Sequence, residues 1–263
     1  MPNAKALQRQ EYILNLLEKN GGVAAKELAK RLDVSVWTIR RDLSSLEARG
    51  ALQRCYGGAD PARSPENCQL TERDSFRSSS SVNADAKRRI GQAAVSLIQP
   101  RESLALGAGT TPLEVAKALR KSCFKGSIVT NALDIALELA EEPEIHVVCT
   151  GGDVQPRYHT MVGSVAERMI KQHFCDAAVI GISGVSIQHG LTVNSQIDAA
   201  TLELMMKQSC RTILVVDSAK FGRVSFAAFN PPVPIDYLVT DSTLPPAYTE
   251  YLRALNIKLV IAE

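Results

Sequence analysis

From residue 103 to the C-terminus the chain repeats one alternation of short apolar run and helical pattern. Seven apolar runs stand at 103–106, 127–129, 145–149, 177–180, 212–216, 237–239 and 258–261. Helical stretches at 112–121, 132–140, 162–173, 199–208 and 245–254 separate most of them. Short apolar strands divided by helices predict a mostly parallel sheet covered on both faces, because parallel neighbours need a long crossover. Ligands of such sheets sit at the carboxyl ends of the strands. Those ends are rich here in small and polar residues: Gly107-Ala108-Gly109-Thr110-Thr111-Pro112, Thr130-Asn131, Thr150-Gly151-Gly152, Gly181-Ile182-Ser183-Gly184 and Asp217-Ser218-Ala219-Lys220-Phe221-Gly222-Arg223. Small residues let backbone N–H groups approach a ligand, and a helix N-terminus favours an anion. Lys220 and Arg223 offer charge for a phosphate or carboxylate. Ligand-free tight turns and surface ion pairs share this composition, so both readings stand at this point.

The first 50 residues hold three helical segments of another kind. The first covers 7–20, with Ile13, Leu16 and Leu17 on one face and Gly21-Gly22 ending it. The second covers 24–32. Asp33-Val34-Ser35 then makes a turn, and the Ser35 hydroxyl is suited to cap a third helix over 36–48. On that helix Ile39, Leu43 and Leu46 cluster on the core face. Trp37, Arg41 and Ser44 fall opposite, flanked by Thr38 and Arg40. Arginine forks to guanine edges or phosphates, and an apolar ring can meet a thymine methyl. Residues 51–56 alternate and stop at Gly57-Gly58, which reads as a short β-wing. Helix, turn, helix and wing form the winged helix-turn-helix plan, with the third helix in the major groove. Charge agrees: residues 1–58 carry ten Lys/Arg against six Asp/Glu, and the remainder twenty against twenty-two. A trihelical packing module with a solvated basic face is the plainer alternative.

Between the two parts, residues 59–83 contain Pro61, Pro65 and the run Ser78 to Ser81, and read as a linker. A helical stretch at 84–98 puts Ile90, Ala93, Ala94 and Leu97 on one side. The expected units are therefore a DNA-binding head at 1–58, a linker at 59–83 and an α/β effector and oligomerisation body at 84–263. No apolar run approaches the roughly 20 residues of a membrane span, and no signal-peptide core follows Met1. The expected location is the cytoplasm, with no membrane partner. Six scattered cysteines, without short pairs, suit free thiols rather than a disulfide framework or zinc site. The four histidines show no metal spacing, although His159 and His189 fall in loops a ligand could touch. Neither a metal nor a cofactor is called for.

The run Ser35-Val36-Trp37-Thr38-Ile39-Arg40-Arg41-Asp42-Leu43, followed by Leu46-Glu47, Gly50, Leu52, Arg54 and Gly57-Gly58-Ala59, resembles the head of the DeoR family of bacterial transcriptional regulators. The family pattern is Ser, two variable residues, Thr-Ile-Arg-Arg-Asp-Leu, then a Leu-Glu-x-x-Gly-x-Leu wing ending Gly-Gly-Ala. Tyr56 stands where the family commonly has His, and either can reach a phosphate oxygen. The variable pair is Val36-Trp37, which would set the operator that is read. The expected DNA-binding residues are Ser35, Val36, Trp37, Thr38, Arg40, Arg41, Ser44, Arg54 and Tyr56.

Residues 72–245, approximately, resemble the family's effector domain, whose fold is shared with ribose-5-phosphate isomerase and CoA transferases. The resemblance implies a phosphorylated sugar or related anionic metabolite as effector, and repression of carbohydrate or sugar-acid metabolism genes as the usual mode. Carried over by position, the effector residues are Gly109, Thr110, Thr111, Thr130, Asn131, Gly151, Gly152, Gly184, Asp198 and Lys220. Two departures stand out. The family's first loop commonly begins with Asp, where this chain has Gly107. Paired acids are frequent where this chain reads Ile197-Asp198. The effector is therefore expected to be atypical, such as a more acidic sugar derivative. A double-stranded operator and a homo-oligomer are the expected macromolecular partners, since one short recognition helix reads few base pairs. The rival reading is a sugar-phosphate isomerase with a DNA-binding head. It needs a positioned base, and Asp198, Asp217 and Asp241 are the only acids near the predicted strand ends, none in a recognisable catalytic motif. No catalytic residue is assigned.

Overall fold

A computed structural model describes residues 4–20, 23–49, 51–55, 58–61 and 76–263. The N-terminal unit comprises α1 (Ala4–Asn20), β1 (Val23–Ala24), α2 (Ala25–Arg31), α3 (Val36–Ala48), β2 (Leu52–Cys55) and β3 (Gly58–Pro61). Ile13, Leu17, Leu28, Ile39, Leu43, Leu46, Leu52 and Ala59 close into one core. The predicted core face of α3 is thus the buried face. Ser35 begins that helix as expected, its Oγ accepting the Thr38 N–H at 3.1 Å.

The wing has three strands rather than two. β3 pairs antiparallel with both β2 and β1, with Ala24 opposite Gly58. A Cβ at Gly58 would fall 2.0 Å from the Val23 carbonyl oxygen. The second glycine of Gly57-Gly58-Ala59 is therefore a close-approach residue that lets the loop before α2 join the wing. Two-residue strands such as β1 carry no periodicity of their own, so its presence was not legible.

The body begins with α4 (Phe76–Ser81) and α5 (Ala84–Val95). There follow β4 (Ser103–Leu106), α6 (Thr110–Lys121), β5 (Gly126–Thr130), α7 (Leu133–Leu139), β6 (Ile145–Cys149), β7 (Asp153–Gln155), β8 (Thr160–Val162) and α8 (Ser164–Lys171). The second half holds β9 (Cys175–Ile180), β10 (Gly184–Ser186), β11 (Gly190–Val193), α9 (Gln196–Lys207), β12 (Ser209–Val215), β13 (Ala227–Phe229), β14 (Tyr237–Asp241), α10 (Pro246–Ala254) and β15 (Lys258–Ala262).

The seven apolar runs are the seven strands of one parallel sheet, in the order β15-β14-β12-β9-β4-β5-β6. Successive residues of the central strands face opposite cores, as the pleat requires. Leu104, Leu106, Ala177 and Val179 pack with residues of α5, α6 and α7. Ala105, Ala178, Ile180 and Leu214 pack with residues of α8, α9 and α10. From β4 the chain winds outward through β5 and β6. It then returns to the other side of β4 as β9 and winds outward through β12, β14 and β15. The strand order reverses between β4 and β9.

Two expectations need correction. Segment 59–83 is not structureless: β3 extends to Pro61, and α4 occupies Phe76–Ser81. Its serines obscure a helix that is held by the body rather than by its own propensity. The helix expected from 162 starts at Ser164, because Thr160–Val162 pairs with Asp153–Gln155 as a hairpin. A small antiparallel sheet, β10-β11-β13, was also not foreseen. Among the described residues no helix is long and apolar enough to cross a membrane, and no group of three His, Cys, Asp or Glu is placed to hold a metal ion. Cys123, Cys149, Cys175 and Cys210 are free thiols; burial pushes Cys175 up to about 11.

Candidate functional site: a cleft at the strand reversal and a basic helix face

At the carboxyl ends of β4 and β9 the two halves of the sheet part, and a cleft opens between the loops that follow them. It encloses about 860 Å³ of empty space, counting its open mouth. This is the crevice that strand reversal produces in open α/β sheets. Gly109, Thr110 and Thr111 line one side, and Gly181 to Ser183 line another. Gly109 is the N-cap of α6 at φ +137°, a backbone region open to glycine, and no side chain caps the helix. The first N–H groups of α6 are thus left for an acceptor from outside the helix. By contrast, the facing helix α9 is capped by Ser195, whose Oγ accepts the Asp198 N–H at 3.1 Å.

Three further groups give the cleft its chemistry. Lys220, half-buried on a single 3₁₀ turn (Ser218–Lys220), lines it and forms no ion pair among the described residues. Asn131, 4% exposed, has its Nδ2 on the Met161 carbonyl at 3.4 Å, while its Oδ1 has no partner among the described residues. An unmatched buried acceptor calls for a donor. Asp198 also lines the cleft, and burial raises its carboxyl above the ordinary range against the pull of its Ser195 hydrogen bonds. Among the described residues the cleft therefore combines a cation, an uncapped helix start, a carboxylate and an unmet amide oxygen.

Six of the ten expected effector residues meet here: Gly109, Thr110, Thr111, Asn131, Asp198 and Lys220. The other four do not line the cleft. The Thr130 hydroxyl is fully buried, donating to the Leu106 carbonyl and accepting the Ala132 N–H. Gly184 lies in β10 beneath the Arg223 carbonyl, and Gly152 lies against the Val162 carbonyl. Gly151 precedes it, on the approach to the β7–β8 hairpin. Arg223 is exposed and also outside the cleft. His159 is engaged beside it, its Nδ1 2.8 Å from Asp134 Oδ2. Gly107 is buried, and a Cβ there would press on Leu202 at 3.2 Å. The place where the family commonly carries Asp is here closed by an apolar side chain.

Sequence reasoning missed Phe76, Ser79, Tyr158, Thr160, Ser183 and Asn194, all of which line the cleft. Ser183 stood in a turn already singled out. Phe76 and Ser79 lay in the presumed linker, and Tyr158 and Thr160 in the unforeseen hairpin.

In the head, Trp37 is 70% exposed, and Arg40 and Arg41 are exposed beside it. Ser35 is exposed and Thr38 half-buried, their hydroxyls 2.8 Å apart. The Ser44 Oγ donates to the Arg40 carbonyl at 2.9 Å. Val36 is half-buried against the head core, which leaves it less surface for DNA than Trp37. Asp42 is buried and points inward, with Arg9 Nε at 2.5 Å and Gln10 Nε2 at 3.3 Å. Within the Arg40-Arg41-Asp42 run, two residues face out and the third ties α3 to α1. The Arg54 side chain and Tyr56 lie outside the described residues.

Residues 9–64 match the DeoR-like helix-turn-helix domain, and residues 82–242 match the DeoR C terminal sensor domain. The chain belongs to the DeoR family. Family relatives match it over nearly its whole length. The HTH-type transcriptional regulator GlpR of Haloferax volcanii is 32% identical over 96% of each chain. The putative aga operon transcriptional repressor of Escherichia coli O157:H7 is 30% identical over 97% of this chain and 93% of that one. The lactose phosphotransferase system repressor of Lactococcus lactis is 30% identical over 92% and 94%. Among solved structures, ribose 5 phosphate isomerase A from Neisseria gonorrhoeae is similar over 51% of this chain and 52% of its own, at 18% identity and a TM-score of 0.38. A 4-hydroxybutyrate CoA-transferase from Porphyromonas gingivalis is similar over 59% and 46%, at 19% identity and a TM-score of 0.38. Those likenesses are too distant to speak for a reaction. As a DeoR-family member the chain is a transcriptional regulator, with a DNA-binding head and a sensor body for a small molecule.

Proposed function

We propose that this regulator represses genes of carbohydrate or sugar-acid metabolism and is released by a phosphorylated, sugar-type metabolite bound in the cleft. The observation that carries the reading is the presence, in the lining of one cleft, of the uncapped α6 start and Lys220 together with Asp198 and Asn131, whose oxygens accept hydroxyl protons. An anion at the first pair and a polyol at the second describe a sugar phosphate or a sugar-acid phosphate. The repressor and operon names of the relatives support the same class. With Gly107 in place of a carboxylate, Asp198 is the one acid lining the cleft among the described residues. That favours a ligand carrying fewer hydroxyl donors or more acid.

In this reading the head, with its wing running to Pro61, grips the operator through Ser35, Trp37, Thr38, Arg40, Arg41 and Ser44, with Val36, Arg54 and Tyr56 as supporting contacts. The body from 84 onward senses the metabolite and pairs two chains. The protein works in the cytoplasm, where DNA and metabolite meet. Two heads are needed because one α3 spans only a few base pairs.

A thermal-shift screen of sugar phosphates and sugar acids, followed by gel shifts on a duplex selected from a random pool, tests the proposal. A ligand specific for the native state raises the melting temperature, and the same compound should release the duplex. If it tightens DNA binding instead, the protein activates. Sedimentation showing a monomer that retains full operator affinity would overturn the paired arrangement.

A further inference from the structure

The segment that leads from the head into the body is itself a wall of the cleft. Phe76 and Ser79 of α4 line it, and fourteen residues separate Phe76 from Pro61 at the end of the wing. A helix of six residues does not hold itself in water, so α4 owes its place to the body. Four attachments hold it and the turn that follows it. The Phe76 N–H donates to the Arg157 carbonyl at 3.0 Å, and the Phe76 ring stacks on His159 with centroids 5.2 Å apart. The buried Lys87 ammonium donates to the Ser79 carbonyl at 2.6 Å. Just beyond the helix, Asn83 Nδ2 donates to Asp217 Oδ1 at 3.0 Å.

The last attachment reaches the ligand side. Asp217 is 2% exposed, and its Oδ2 has no partner among the described residues. Its carbonyl accepts the Lys220 N–H at 3.0 Å, so the residue that receives Asn83 also closes the turn presenting Lys220. A ligand drawn onto Lys220 therefore bears on α4 twice: directly at Phe76 and Ser79, and through the Asp217 turn at Asn83.

We propose that α4 is a sensor strap, docked by the metabolite, whose docking state sets where the tether to the DNA-binding head leaves the body. This rests on the cleft being the metabolite site. Releasing α4 would lengthen the stretch of chain between the wing and the first anchored residue of the body from fourteen residues to about twenty-one, which changes an effective concentration only about twofold. The larger lever is the point and direction of departure. That geometry gives the ligand the differential affinity for two head arrangements that a switch requires.

The test uses the full chain and a fixed panel: inorganic phosphate, glycerol 3-phosphate, glucose 6-phosphate and 6-phosphogluconate. Calorimetry identifies the binder, hydrogen exchange reads 76–83, and gel shifts read coupling to the selected duplex. Asn83→Asp is the main variant, since it keeps the size and the left-handed backbone (φ +54°) but sets a carboxylate against Asp217. Asn83→Gly, which also tolerates that backbone, is the second. Neither residue change touches the cleft lining. The expected result is exchange in 76–83 slowed about fivefold or more by the binder in the parent protein. In both variants the binder should still bind, its affinity reduced by the same factor by which it slows exchange in the parent, while its effect on DNA binding falls to near none. A binder that leaves exchange of 76–83 unchanged, or full coupling in both folded variants, overturns the strap and leaves the cleft standing. A panel that binds only at a site insensitive to Lys220→Ala, or not at all, overturns the cleft reading and the strap with it.

Discussion

The Arg41 guanidinium lies over the Trp37 ring, 6.0 Å from its centre, on the outer face of α3. The ring steadies the guanidinium in a position a solvated arginine would not keep. Arg41→Ala should therefore cost about 1–3 kcal/mol of specific binding and flatten discrimination between operator and scrambled duplex. Arg41→Lys should recover phosphate attraction but not the discrimination, lacking the planar fork. A footprinting titration with unchanged specific affinity in a folded Arg41→Ala protein would remove this residue from base reading.

Asp42 stands one residue further on and does opposite work. Its carboxylate is buried with Arg9 and Gln10 of α1 upon it. Asp42→Ala leaves Arg9, itself little exposed, without its counter-charge. Breaking one side of a buried pair typically costs about 3–5 kcal/mol, so the head should melt well below the parent while the body melts as before. A single unshifted calorimetric transition would refute that role.

Lys220→Ala should abolish the metabolite response and keep DNA binding, giving a repressor that cannot be released. Calorimetry and gel shift on the same preparation check both halves. Loss of DNA binding in a folded variant would contradict the separation of sensor and head.

Asp198 gives a pH-dependent expectation. Its folded carboxyl is raised above the ordinary 3.8 by burial. The native state then holds a proton more readily than the unfolded chain, so the residue's contribution to stability falls as pH rises through the raised value. Asp198→Asn should stabilise the ligand-free protein at neutral pH, and the gain should vanish as pH drops below 3.8. The same variant should bind the metabolite more weakly. Melting curves of both proteins across that range, with and without ligand, would show it; equal stability at neutral pH would count against it.

All seven sheet strands were legible because each is an apolar run long enough to stand out between helices, even where, as in the edge strands β6 and β15, it is only partly buried. Their ends named the cleft for the same reason: glycine and threonine cluster where strands stop and helices start. What escaped was held by tertiary contacts alone. The Ser78 to Ser81 run of α4 has no apolar period, and Phe76 gains its place against His159 and the Arg157 carbonyl. Thr130 looked like a ligand residue from its neighbours, yet its hydroxyl is consumed by Leu106 and Ala132. A sequence shows that a polar side chain sits at a strand end; whether the backbone claims it first is settled only in three dimensions.

Leu106 is paired with Val179. The floor of the cleft thus joins chain positions far apart in sequence, and neither half can shape it alone. A body that has folded only through β6 has no site, and a metabolite cannot template one piecemeal. The ligand should act on the whole body as a unit: its stabilisation should appear in every slow-exchanging amide of both sheet halves, not only in the loops it touches. During synthesis the sensor would stay deaf until β9 has threaded in beside β4, although the head, made first, would already be complete.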